Sequence, residues 1–311
     1  MIIERARVTY LKYTIICMVM LCMAGILMPG STVYADRNKG WLSYGSDKNT
    51  ITKKWDIDGD NKKEEVTMTV YGKTAGRYYK SYRTNGVRVY VDGKYKFAIK
   101  NKNGVFNDYY YMDFIKLKNG TRYLCFCGDD SYEDYTYYLY RCKNNGQIKR
   151  EVVVGAGGKG RNHFAIRNRM KLKRVFGNTL NFEVCDQTAG IGYIKYDVFY
   201  CCTDRELKLK DNVYDVVGYN DWSAESFDTF DITDRITARQ IKIYSDKECN
   251  NMVIYADKGA KIKITRLYIP DGTYYDSENY RMVYYADNLG WFNASDIITN
   301  GELFEGSRYA E

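Results

Sequence analysis

At 311 residues the chain can bury one large core or two ordinary ones, and with 28% charged and 45% hydrophobic residues it is too apolar for intrinsic disorder. A formal net charge of +8 is too modest to imply nucleic acid, although it favours anionic surfaces through long-range attraction. The 33 tyrosines and 26 glycines, against 2 prolines and 1 histidine, describe half-buried pleated surface and exclude chemistry that needs several histidines.

Residues 1–35 have the layout of a secretory signal. Arg5, Arg7 and Lys12 give a positive start, "TIICMVMLCMAGILM" is the apolar centre, and Pro29-Gly30 breaks it. "TVYA" then offers small or aliphatic residues where signal peptidase reads, so cleavage is expected after Ala35. The apolar run is shorter than the roughly 18–20 residues that span a bilayer. Leu21 before Cys22 argues against a lipoprotein. The mature chain is expected to be secreted, without a transmembrane segment. Loss of Arg5, Arg7, Lys12 and Glu4 leaves it 44 basic and 38 acidic residues, a net charge of +6.

The first chemistry lies in "DIDGDNKKEE". Asp56, Asp58, Asp60 and Glu64 occupy positions 1, 3, 5 and 9 of a polar loop that runs into the alternating strand "VTMTV". Calcium takes six to eight oxygens, and acids at alternating positions of a tight loop can converge on one ion, with the Lys62 carbonyl as a further ligand. The loop departs from the EF-hand pattern at Asn61 and Thr67, and a run of Asx turns leading into a strand is the plainer reading. These residues resemble the D-x-D-G-D-x-x-x-E loop of VCBS-type, FG-GAP-like propeller repeats. That resemblance implies a calcium ion held between two strands.

Beyond the loop, Asp92-Gly93, Asn119-Gly120, Asn144-Asn145-Gly146 and Gly177-Asn178 each divide two alternating runs and read as hairpin turns. Residues 36–218 are therefore expected to be an antiparallel sheet domain, propeller-like or a sandwich. In "SYEDYTYYLY", alternation sets Tyr135, Tyr137 and Leu139 on one face and Tyr138 and Tyr140 on the other, which sheet packing explains without a sugar ligand. Gly155, Gly157 and Gly160 satisfy G-x-G-x-x-G, but no helix pattern follows, so the stretch reads as a glycine loop. From Lys159 to Arg174 there are seven basic residues and no acid. Arg167, Arg169, Lys171 and Lys173 share one strand face there, either as a solvated surface or as a stripe for a polyanion such as wall teichoic acid.

Seven cysteines follow the signal: Cys125, Cys127, Cys142, Cys185, Cys201, Cys202 and Cys249. The odd count leaves at least one unpaired in a monomer, and no C-x-x-C supports a zinc site. His163 is the lone histidine, and no nucleophile elbow, H-E-x-x-H or His-Gly-Cys segment accompanies it. Catalysis is not expected.

Residues 219–235 are acidic and turn-rich and read as a linker. After it come "IKIYSD", "ADKGAKIKI" and "VYYADNLGWFNASDI" with Gly290-Trp291. In these, residues 236–311 resemble a bacterial SH3-like domain. The resemblance implies a small barrel closed by the Gly-Trp pair, with Tyr244, Tyr255, Tyr285 and Trp291 facing peptidoglycan or an associated anionic cell-wall polymer. The expected fold is all-β throughout. The expected role is non-catalytic binding at a Gram-positive cell surface. The alternative is a secreted glycan or cell-wall hydrolase whose acids lie in the N-terminal domain.

Overall fold

The computed structural model describes residues 40–41, 50–75, 81–100, 109–129, 135–155, 169–188, 191–220, 231–270, 282–293 and 302–306, all within one compact unit, Tyr34–Glu311. The signal segment, His163, Arg167, most of the G-x-G-x-x-G loop and residues 221–230 lie outside the described residues. The fold is all-β and antiparallel.

A short strand, β1 (Gly40–Trp41), precedes three successive meanders. The first comprises β2 (Thr50–Trp55), β3 (Glu64–Ala75), β4 (Ser81–Val91) and β5 (Lys94–Lys100). The second comprises β6 (Tyr109–Lys116), β7 (Arg122–Asp129), β8 (Thr136–Cys142) and β9 (Ile148–Gly155), with β1 added beside β6. The third comprises β10 (Arg169–Phe176), β11 (Thr179–Thr188), β12 (Gly192–Cys202) and, after β13 (Leu207–Leu209), β14 (Val213–Asn220). All four expected hairpin turns form. Asp92 and Gly93 both have positive φ between β4 and β5, the geometry that makes a two-residue turn follow the strand twist. In the two longer turns Asn119 and Asn145 accept the Thr121 and Gln147 N–H groups, each 3.1 Å away, one residue before a positive-φ glycine.

Alternation decides how the sheets stack. From β8, Tyr138 and Tyr140 enter one apolar core with Val66, Met68, Val87 and Val89 of the first sheet. Tyr137 and Leu139 enter the other, with Leu172, Phe182 and Val198 of the third. Ring contacts cross both junctions: Phe97 stacks on Tyr140 at 4.2 Å, and Tyr137 meets Phe182 edge-on at 5.2 Å. The second sheet is thus buried on both faces. The Tyr137 hydroxyl also donates to the Met170 carbonyl and accepts the Leu172 N–H, satisfying backbone beside a bulge in β10. The three sheets are layered in sequence, and among the described residues they do not close into a ring.

The C-terminal strands are β15 (Arg235–Ile236), β16 (Ile241–Tyr244), β17 (Met252–Ala256), β18 (Lys261–Ile262), β19 (Ile264–Tyr268), β20 (Val283–Ala286) and β21 (Gly290–Asn293). Their order β19-β20-β21-β16-β17 continues directly from β14, while β15 and β18 form a separate two-stranded ribbon. Among the described residues the expected barrel is therefore not closed. Both edges of β19 are occupied, by β14 and β20, and among the described residues β17 pairs with β16 alone. Gly290, at φ 139°, brings β21 against β16; a side chain there would run into the Tyr244 carbonyl and Ile243. That is a local reason for the Gly-Trp pair.

All seven cysteines are described and none is in a disulfide. Cys125, Cys127, Cys142 and Cys202 are buried, whereas Cys185, Cys201 and Cys249 are partly accessible. Burial pushes the Cys125 thiol well above its ordinary range and the Cys142 thiol up to about 12, so neither forms a reactive thiolate in the folded chain. A thiol reagent should label Cys185, Cys201 and Cys249 quickly in native protein, and the four buried thiols only in denaturant. Equal rates for all seven would contradict this packing.

Candidate functional site

The loop between β2 and β3 gathers Asp56, Asp58 and Glu64, whose nearest carboxylate oxygens all lie within 4.8 Å of one another. Asp56 accepts the Gly59 N–H at 2.6 Å and Glu64 accepts the Ile57 N–H at 2.8 Å, so the loop's own backbone draws both acids inward. Asp60, expected as a fourth ligand, stays outside the trio. It accepts the Lys62 N–H at 2.8 Å and lies 3.8 Å from the Lys62 ammonium. The positive φ of Gly59 and Asn61 reverses the chain on both sides of Asp60, which alternation along a straight segment does not anticipate. Arg122 of β7 occupies the space a Gly59 side chain would fill and donates to the Asp58 carbonyl at 3.2 Å and to Asn144 at 3.1 Å. An all-oxygen trio fits a hard divalent cation and does not distinguish calcium from magnesium.

One member of the basic stripe is answered from within. Arg169 lies in β10, and Lys171 is exposed on the outer face of the third sheet. Lys173, however, pairs with Glu183 at 2.8 Å and Asp197 at 3.5 Å. Cross-strand register sets Lys171, Glu183 and Asp197 in one row. Burial raises the Glu183 carboxyl, but Lys173 outweighs it and holds the group below its usual range.

A second cluster escaped the sequence reading. Arg141, at the end of β8, is pinned by Glu151 through bonds of 2.7 and 3.0 Å. It also donates to the Tyr123 hydroxyl at 2.9 Å and the Asp204 carbonyl at 3.2 Å, and lies 3.6 Å from the Cys202 sulfur. Glu151 in turn accepts the Leu207 N–H. This network joins the second sheet to the third, because Cys202 ends β12, Asp204 lies in the turn after it and Leu207 opens β13. Around it opens a groove of about 340 Å³ lined by Arg141, Lys143, Lys149, Arg150, Glu151, Arg205 and Glu206. "RCKNNGQIKRE" carries most of these residues on one hairpin, but Arg205 lies more than 50 positions on, and no spacing rule links them.

The third candidate is a row across the C-terminal sheet. Arg266, Tyr285, Trp291 and Tyr244 are successive cross-strand partners on β19, β20, β21 and β16. The Arg266 guanidinium lies 3.9 Å from the Tyr285 ring centre and 5.7 Å from that of Trp291, and the two rings meet at 5.0 Å. Tyr268 joins Trp291 at 6.4 Å, with the Lys247 ammonium 4.6 Å from the Tyr268 ring. Trp291 is only 8% exposed, so its neighbours present the surface. Tyr255, opposite Lys242 on β17, shares this outer face and is exposed. The opposite face carries Leu267, Tyr284, Phe292 and Ile243 into the main core. Three of the four expected ligand residues thus stand in one line, and Arg266 is the member that resemblance alone did not supply.

Comparison with family models, curated proteins and solved structures finds no match for the chain. Among the described residues no helix is long and apolar enough to cross a membrane.

Proposed function

We propose that this chain is an exported, non-catalytic binding protein that holds a cell-wall glycan, or the anionic polymer attached to it, on its C-terminal sheet. The observation that carries this reading is the row Arg266, Tyr285, Trp291 and Tyr244, an aromatic surface with a cation laid on it. Tyrosine and tryptophan offer rigid, amphipathic contact area against sugar C–H faces, and a guanidinium recognises phosphate or carboxylate substituents. The acidic trio has a structural part in this proposal: calcium bound there would hold the β2–β3 loop against the second sheet.

Co-sedimentation of residues 36–311 with purified Gram-positive cell walls tests both parts. The wild type should pellet, and the Arg266→Ala/Tyr285→Ala double variant, still folded by circular dichroism, should lose at least roughly tenfold in affinity, as expected when central aromatic and arginine anchors are truncated. Pelleting that survives a chelator leaves the acidic loop structural; pelleting lost on chelation ties it to binding. A wild type that stays in solution with every wall preparation overturns the proposal.

A further inference from the structure

We infer that the groove between the second and third sheets is a separate binding site for clustered phosphate groups carried on a polymer. Its rim holds Lys143, Lys149, Arg150 and Arg205, all exposed and none in an ion pair among the described residues. The two acids that line it are committed elsewhere. Glu151 is bound to Arg141 and the Leu207 N–H, and Glu206 pairs with Lys208 at 2.8 Å. Arg150, opposite Tyr140, lies towards Tyr138 and Tyr140 on the other face. The three charges of Lys143, Lys149 and Arg205 face the hollow without an ion pair among the described residues, which disfavours the empty groove and favours an anion.

The walls are preorganised. Arg141 forms the floor, with its side chain 15% exposed and tied on three sides. The Thr203–Glu206 turn is closed by Thr203 N–H to the Glu206 carbonyl at 2.8 Å and by Glu206 N–H to the Thr203 hydroxyl at 3.1 Å. The opposite turn is closed by Lys143 N–H to the Gln147 carbonyl at 2.9 Å. Rigid turns reduce the ordering cost of binding. Arginine forks with lysine point charges suit tetrahedral oxyanions of high charge better than isolated carboxylates.

The groove also continues. A neighbouring hollow of about 380 Å³ shares Arg141 and Lys143 and adds Asn119, Arg122 and Asn144. Two linked, open, basic hollows fit a chain of phosphates better than one small molecule. The acidic trio beyond Arg122 marks the repulsive end of the track.

The test is titration of residues 36–311 with inorganic tripolyphosphate and long-chain polyphosphate, as a function of salt. Long-chain binding should show a log–log salt slope of about −2 to −3, since each of three neutralised phosphates contributes roughly 0.7–0.9. The Lys149→Glu/Arg205→Glu variant changes only exposed side chains and should weaken binding at least tenfold, with the slope reduced by about 2. Lys149→Arg/Arg205→Lys should retain binding. The Arg266→Ala/Tyr285→Ala variant, which removes one cation at the C-terminal row, should lower the salt slope by no more than about 1, against about 2 for the groove variant, and this separates the two sites. Absence of polyphosphate binding by wild type at low salt, or an unchanged slope in the charge-reversal variant, overturns the inference. Equal affinity for dextran sulfate overturns the assignment to phosphate.

Discussion

Replacing Arg141 with methionine is expected to destabilise the folded chain by about 3–5 kcal/mol, the usual cost of removing one partner from a buried ion pair. Both side chains of the Arg141–Glu151 pair are 15% exposed, so water does little to screen the charge left behind. Glu151 would keep only the Leu207 N–H, and the Tyr123 hydroxyl would lose its guanidinium donor. The loss falls where the second and third sheets meet, so it should lower the urea midpoint of the whole unit. A double variant, Arg141→Met with Glu151→Leu, should recover most of it, because an apolar pair of similar volume is often neutral or better. A single variant that costs less than about 1 kcal/mol would class this as a surface pair, against the observed burial.

Raising the pH above 10 should unfold the protein before its tyrosines have titrated. Burial pushes the hydroxyls of Tyr110, Tyr138 and Tyr140 up to about 12, with Arg150 offsetting part of the effect for the last two. All three sit in the core between the first and second sheets. In the unfolded chain these phenols ionise near 10, so above that pH the unfolded state holds fewer protons and stability falls. The contribution is complete below pH 10 and is lost as pH rises through the folded values near 12. A two-unit difference corresponds to roughly 2.7 kcal/mol for one group, and because Tyr138 raises the Tyr140 hydroxyl the contributions do not add in full. A few kcal/mol in total is already a large part of the stability of an ordinary domain. Cys142, in the same core and also pushed to about 12, opens the window from its lower ordinary value. Phenolate absorbance and circular dichroism followed together should change in one step between pH 10 and 12. Complete phenolate formation with the dichroism still native would contradict the burial.

What the sequence made legible was local. Alternation in "TYYLY" sorted Tyr137 and Leu139 from Tyr138 and Tyr140 because period two is a property of the strand itself. The four turns were legible because positive φ selects Gly, Asn and Asp. Legibility ended where register or docking between distant strands decides the outcome. Lys173 meets Glu183 and Asp197 because hairpin lengths align β10, β11 and β12. Arg141 meets Cys202 because two sheets stack. The continuation of β14 into β19 has no signature at all, since Val213 and Tyr268 lie far apart and either could serve as an edge. In the acidic loop, spacing supplied three of four members, and backbone reversal at Gly59 and Asn61 removed Asp60.

The doubly covered second sheet has a consequence for the nascent chain. Each meander is built from neighbouring hairpins, so each can form quickly from local contacts. Residues 109–155, once formed, carry apolar side chains on both faces and have only the first meander to shelter one of them. Until the strands from Arg169 to Cys202 emerge, Cys125, Tyr137, Leu139 and Val154 have no cover. The order of synthesis thus creates an interval in which a half-sheltered sheet exists, and its sticky side faces whatever chaperone, translocase or sister chain stands nearest.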